Sequence, residues 1–333
     1  LLSLPLQAQE VLRILTWPGY ADNDLVSAFE TRYDVEVEVT FVGSDDELRQ
    51  KLAEDDGSHY DVIAANTSEI KQFAEQNLLQ PLHLNNLTNR SRQLRQFRQL
   101  TDIPGSMRDG KAYGIPYTYA EMGLIYNRKL LSTPPESFSS LWDTRLQGQV
   151  LAYDGSSHNF SLTRMVLGKP PFNIPPAELP ATLDKLVALR RNVLTFYSLP
   201  EDSVQLFTQN KVALLYANYG RQQFKLLQDA GADVGYVIPR EGALAWLDCW
   251  AISRTTPNRE LAERWINYSL EPQVSNALTE RQGLANTLDP VDASNANLSG
   301  SLIWLEPVEN AKQRAQLWQR ILAGERPENL VHP

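Results

Sequence analysis

Val11-Leu12-Arg13-Ile14-Leu15-Thr16 runs without a break into Trp17-Pro18-Gly19-Tyr20, a short apolar strand ending in an aromatic turn that opens a helix. The same arrangement recurs at Asp61–Ala65 into Asn66-Thr67-Ser68, at Val150–Tyr153 into Asp154-Gly155-Ser156-Ser157-His158, and at Val212–Ala217 into Asn218-Tyr219-Gly220-Arg221. In an open α/β sheet, ligands bind beyond the carboxyl ends of the strands. Two of the clusters fall within the first 70 residues and two beyond residue 150. That distribution predicts two sheets whose loops face one another across a cleft, in a molecule that closes on something small.

Outward from these clusters the pattern stays α/β. Residues Val35–Val42 alternate apolar and polar, as in a half-buried strand. Ser44-Asp45-Asp46-Glu47 follows as a capping box for a helix to about Glu54. The first 80 residues thus read as strand and helix three times over, which favours parallel pairing with helices on both faces. Tyr113–Tyr119 reads as a crossing segment and Gly123–Tyr126 as a strand. Five prolines within 169–180 predict a surface loop, followed by helices at 177–191 and 202–210. The alternation resumes with strand 212–217, helix 221–230, strand 233–238 and an apolar strand Trp246–Ile252. Helices are expected from Pro257 to Leu270, over Pro272–Arg281, and from Val308 to Leu322 before Gly324; Asn286–Ser301 reads as a polar connection.

The chain has 333 residues, enough for two domains of about 150 residues each. Its net charge of −9 argues against a nucleic-acid surface, which needs a basic patch. No apolar run approaches the roughly 18 residues of a membrane span. Residues 1–8, Leu1-Leu2-Ser3-Leu4-Pro5-Leu6-Gln7-Ala8, resemble the tail of a secretory leader, so export is expected. One cysteine, Cys249, cannot form a disulfide within the chain, and the four histidines show no metal-ligand spacing. Neither a cofactor nor a metal is expected. The sequence carries no Gly-x-Ser-x-Gly elbow, no phosphate-binding Gly-Lys loop and no dinucleotide fingerprint.

What the loops offer instead is rings with single charges. Trp17, Tyr20, Tyr119, Tyr219 and Trp246 can build an aromatic box, with Asp248 and Arg221 as opposite charges and Asn66, Ser68, His158 and Asn218 at the strand ends. Aromatic faces attract an ammonium by about 0.5–2 kcal/mol each. A buried carboxylate adds a charge-assisted hydrogen bond, and an arginine can grip a carboxylate with two. Asp248 lies inside an apolar strand, where a carboxylate is costly unless paired. Arg221 at a helix start opposes the helix dipole and calls for an anion, either a ligand's or a local Asp. Trp246 and Trp250 fall on the same side of their strand, and one of them can simply be core.

Leu15-Thr16-Trp17-Pro18-Gly19-Tyr20, Tyr60-Asp61-Val62-Ile63, Tyr113-Gly114-Ile115-Pro116-Tyr117 and Glu241-Gly242-x-x-x-Trp246-x-Asp248, in that order, resemble the spermidine/putrescine-binding proteins of bacterial ABC importers over about residues 11–324. The resemblance implies an α/β periplasmic binding protein-like fold: two α/β lobes joined by crossover strands, with a ligand cleft between them. Lobe one would span about 11–116 plus 250–302, and lobe two about 117–249 plus 303–325. It also implies a monomer in the periplasm, or on the extracytoplasmic face of the membrane, that serves an inner-membrane ABC permease. Trp17, Tyr20, Trp246 and Asp248 match the family's amine-binding rings and carboxylate. Elsewhere the chain departs: Gly155 and His158 stand where acidic residues are expected, Ser68 replaces a tyrosine, and Asn218 replaces a tryptophan, with Arg221 just beyond.

One acid and one arginine suit a zwitterion, so the expected ligand is an ω-amino acid such as 4-aminobutyrate, its amine at Asp248 and Trp246 and its carboxylate at Arg221. If Glu121 or Glu306 supplies a second negative charge, the ligand is a polyamine instead. Two other functions compete: the sensory domain of a membrane kinase or cyclase, and an enzyme using Cys249 or His158.

Overall fold

The computed structural model describes residues 10–288 and 302–331. The expected leader remnant, residues 1–8, and most of the polar connection 286–301 lie outside the described residues. The chain forms two compact units. One comprises the described residues to Thr118, then Asp248–Arg281 and the chain from Asn286; the other comprises Tyr119–Leu247, Gln282–Ala285 and the described C-terminal stretch. No helix among the described residues is long and apolar enough to cross a membrane.

In the first unit the expected alternation is present: β1 (Glu10–Thr16), α1 (Asn23–Tyr33), β2 (Val35–Phe41), α2 (Asp45–Ala53), β3 (Val62–Asn66) and α3 (Thr67–Glu75). β1 pairs parallel with β2 and with β3, because each strand is followed by a helix that returns the chain to the same end of the sheet. β3 is buried at every residue, which is why its sequence is continuously apolar up to Asn66. β2, at the sheet edge, alternates because it is partly exposed. The long strand Ala243–Ser253 then pairs antiparallel with β3, and this places Asp248 directly opposite Asn66.

The helix starts follow local chemistry. Ser44 Oγ accepts from the Glu47 backbone N–H at 3.1 Å, while the Glu47 carboxylate accepts from Gly43 N–H at 2.8 Å. The expected capping box therefore forms, with the glutamate reaching one residue beyond the cap. Trp250 belongs to the core: its ring lies 5.3 Å from Tyr117 and 6.1 Å from Trp265, and it is fully buried.

The second unit contains a five-stranded sheet in the order Thr195–Tyr197, Val150–Tyr153, Leu214–Tyr216, Leu124–Asn127, Val234–Val237. The first three strands are parallel, and Leu124–Asn127 is antiparallel to both of its neighbours. Thr195–Tyr197 was not expected from the sequence, since three residues between two helices give no resolvable periodicity. Helices Ser156–Val166, Leu179–Asn192 and Ala311–Leu322 share a core through Phe160, Leu183, Leu186, Trp318 and Ile321. The proline-rich stretch is a loop until Pro176, where a short 3₁₀ turn leads into the next helix. Its return is tied down by the buried Arg164, which pairs with Glu178 at 2.6 Å.

Because Trp250 is fully buried against the rings of Tyr117, Trp265 and Tyr20, Trp250→Ala is expected to cost about 3–5 kcal/mol of stability. Urea denaturation of the two proteins checks this; a loss below about 1 kcal/mol would remove Trp250 from the core role.

Candidate functional site

In the first unit the site begins at the turn after β1. Tyr20 N–H donates to Trp17 O at 3.2 Å, with Pro18 and Gly19 between them. Gly19 has a φ of 90°, which a type II turn requires at its third position. Trp17 is pinned by its indole N–H, which donates to Ala64 O at 3.1 Å. The turn delivers Tyr20 edge-on to Tyr117, ring centroids 5.5 Å apart. From there its hydroxyl donates to Asp248 Oδ2 at 2.6 Å.

Asp248 is 5 % exposed. Burial raises its carboxyl to a pKa of about 8; the Tyr20 hydrogen bond opposes this, and the nearby charge of Asp45 adds to it. Among the described residues the neutral phenol of Tyr20 is the hydrogen-bond partner of this carboxyl, and no cation accompanies it. The ionised form of this carboxyl is therefore left uncompensated by the residues that contact it.

Asn66 is brought beside Asp248, but its side chain is already occupied. Its Oδ1 accepts from the backbone N–H groups of Ser68 at 3.0 Å and Glu69 at 3.2 Å, capping α3. Its Nδ2 donates to both oxygens of Asp45, at 3.1 and 3.2 Å. Asn66 thus positions an acid that sequence reading treated only as part of a helix cap. Ser68 lies buried in the first turn of α3. Next to it Arg49 donates to both Asp46 and Glu69.

In the second unit Trp246 donates its indole N–H to Asn218 O at 2.9 Å. Asn218 N–H in turn donates to the Tyr197 hydroxyl at 3.0 Å, so strand end and tryptophan are held together. The Asn218 Oδ1 is buried with no hydrogen-bond partner among the described residues. Tyr119 meets Trp304 edge-on at 6.1 Å, and burial, helped by the Glu121 charge, pushes its hydroxyl up to about 12. His158 and Tyr219 gather around Tyr153, at 5.2 and 5.9 Å between centroids, and form an aromatic cluster of their own.

Arg221 has found its anion within the protein. Its Nε donates to Glu121 Oε1 at 3.1 Å, and its guanidinium lies 5.2 Å from the Tyr236 ring centroid. Gly220 makes this possible: its φ is 54°, and a side chain there would lie 2.4 Å from Glu121 O. Of the two acids named from the sequence, Glu121 is the buried one and Glu306 is exposed. Cys249 is fully buried, and burial pushes its thiol well above the ordinary range, the opposite of an activated nucleophile.

The raised Asp248 has a measurable consequence. Between about pH 4 and pH 8 the folded protein holds a proton there that the unfolded chain releases, so stability falls as pH rises through that window. Asp248→Asn removes this part of the slope, and its stability relative to the parent should improve steadily from pH 5 to pH 8. Urea denaturation across that range checks it; a difference independent of pH would contradict the assignment.

Comparison with known proteins agrees with this architecture. A spermidine/putrescine-binding periplasmic protein of Haemophilus influenzae is 23 % identical over 335 residues, covering 95 % of this chain and 90 % of the relative. A solved structure described as a putative spermidine/putrescine ABC transporter from Listeria monocytogenes superposes with a TM-score of 0.80 at 22 % identity, covering 95 % of this chain and 98 % of the other. The solved structure of the Atu4243 GABA receptor gives 0.73 at 16 % identity, with 95 % and 99 % coverage. These likenesses give the fold: that of the two-lobed periplasmic binding proteins. Residues 24–298 match the family described as bacterial extracellular solute-binding protein, and the chain belongs to that family.

Proposed function

We propose that this solute-binding protein captures a small solute of the diamine or polyamine class in the periplasm and delivers it to an ABC permease in the inner membrane. The observation that carries the choice of class is the Arg221–Glu121 ion pair. The zwitterion reading needs Arg221 to be available for a ligand carboxylate. Its charge is instead matched inside the unit, so the arginine does not leave the second unit short of an anion. The first unit meanwhile presents Asp248, with Asp45 close by, and only a neutral phenol bonded to Asp248. The first unit thus puts an acid without a cation beside aromatic rings, which is the chemistry that holds an ammonium group, while in the second unit Glu121 is shared with Arg221. The names of relatives that bind spermidine and putrescine support the same class.

A second reading, an ω-amino acid, rests on one observation: the Arg221 side chain keeps about a third of its surface exposed. Its guanidinium could exchange Glu121 for a ligand carboxylate. The likeness of fold to a GABA receptor accords with that alternative.

Two substitutions separate the readings because they act with opposite sign. For a diamine, Arg221→Ala uncovers Glu121 and leaves affinity for putrescine unchanged or higher, whereas Glu121→Gln lowers it by about tenfold or more. For 4-aminobutyrate, Arg221→Ala removes the carboxylate partner and abolishes binding. Calorimetric titration of putrescine and 4-aminobutyrate into all three proteins checks this. Tight binding of 4-aminobutyrate that Arg221→Ala destroys, with no binding of putrescine, would overturn the diamine reading.

A further inference from the structure

Asp45 sits at the first position of α2 and is held by the amide of Asn66 through both carboxylate oxygens. Asn66 is the cross-strand partner of Asp248, so the side chains of these two project from the same face of the sheet. An amide therefore stands with one carboxylate attached to it and a second carboxylate beside it. Asp45 is half-buried, open enough to meet a solute, and its charge acts on Asp248.

The charges around this point do not balance. α2 contributes Asp45, Asp46 and Arg49, α3 contributes Glu69, and the long strand contributes Asp248, with the Tyr20 hydroxyl facing it. Three carboxyl groups, those of Asp45, Asp46 and Glu69, thus act on one guanidinium, and Asp248 lies next to Asp45 without one. Arg49 is shared between Asp46 and Glu69, and among the described residues it is not bonded to Asp45 or Asp248. Glu69 adds a second, independent observation: the residue is 4 % exposed, and while Oε1 accepts from Arg49, Oε2 is buried with no hydrogen-bond partner among the described residues. Burial pushes this carboxyl upward, Asp45 and Asp46 push the same way, and only Arg49 opposes them. Leaving a buried acid half-satisfied is costly unless a positive charge completes its surroundings.

We propose that Asp45 is a second recognition carboxylate, which together with Asp248 seats one ammonium end of the solute in the first unit and selects cationic amines over zwitterions. Asn66 is then a positioning residue: it caps α3 with its oxygen and aims Asp45 with its nitrogen. Arg49 sets the local charge without touching the solute. The assignment rests on the amine-binding reading above and adds a residue to it.

The test is calorimetric titration of putrescine into the parent protein, Asp45→Asn, Asp45→Glu and Asp46→Asn, with 4-aminobutyrate titrated in parallel. Asp45→Asn keeps an oxygen to accept from Asn66, and urea denaturation of each variant establishes that it is folded. Asp45→Asn is expected to weaken putrescine by about tenfold or more, Asp45→Glu to recover most of that loss, and Asp46→Asn to change affinity by less than about threefold. Folded Asp45→Asn that binds putrescine like the parent overturns the inference and leaves the diamine reading standing. Equal losses in Asp45→Asn and Asp45→Glu also overturn it, because shape rather than charge would then matter. A parent protein that takes 4-aminobutyrate but no putrescine overturns the class reading itself.

Discussion

The hydrogen bond from the Tyr20 hydroxyl to the buried carboxyl of Asp248 is the constraint on which the rest of the site depends. A carboxyl group that is 5 % exposed needs either a cation or a proton. Among the described residues this one is given neither an arginine nor a lysine. A phenol offers one good hydrogen bond and no charge, which holds the group in place while leaving its electrostatic demand unmet. On the proposed function, such a group selects for a cation because the bound cation recovers what burial cost.

Several local features serve that bond. The Pro18-Gly19 turn and the indole bond from Trp17 to Ala64 fix where Tyr20 emerges from β1. Tyr117 and Trp250 form the wall against which the ring rests, at 5.5 and 6.4 Å. The antiparallel entry of Ala243–Ser253 beside β3 brings Asp248 to the end of the sheet where β1 and β3 also finish. A parallel strand there would run through the same position with its residues in the opposite order. The arrangement at this edge thus follows from strand direction as much as from residue type.

The fold was legible because α/β alternation is a local property: β1, β2 and β3 and their helices are each announced by ten or so residues of sequence. Thr195–Tyr197 was not, being three residues long and defined by its neighbours. The candidate site was legible in its members but not in its pairings. Tyr20 and Asp248 are 228 residues apart, and Arg221 and Glu121 are 100 apart. Sequence reading could say that Arg221 needed an anion; only the fold identifies it as Glu121. Asp45 was hidden differently: beside Ser44 and Glu47 it reads as helix-cap chemistry, and its bond to Asn66, 21 residues on, gives no local signal. Trp246 and Trp250 show the converse. Four residues apart on one strand they look equivalent, yet Trp250 is enclosed by rings while Trp246 bonds through its indole to a strand end.

The central claim is that a buried, protonated Asp248 gives up its proton when a cationic amine arrives. Counting protons measures this directly: putrescine is titrated calorimetrically at pH 7 in two buffers of different ionisation enthalpy. The account expects close to one proton released for each diamine bound, since the group titrates at about 8 before binding and must be ionised after it. Tight binding with no change in protonation would contradict it.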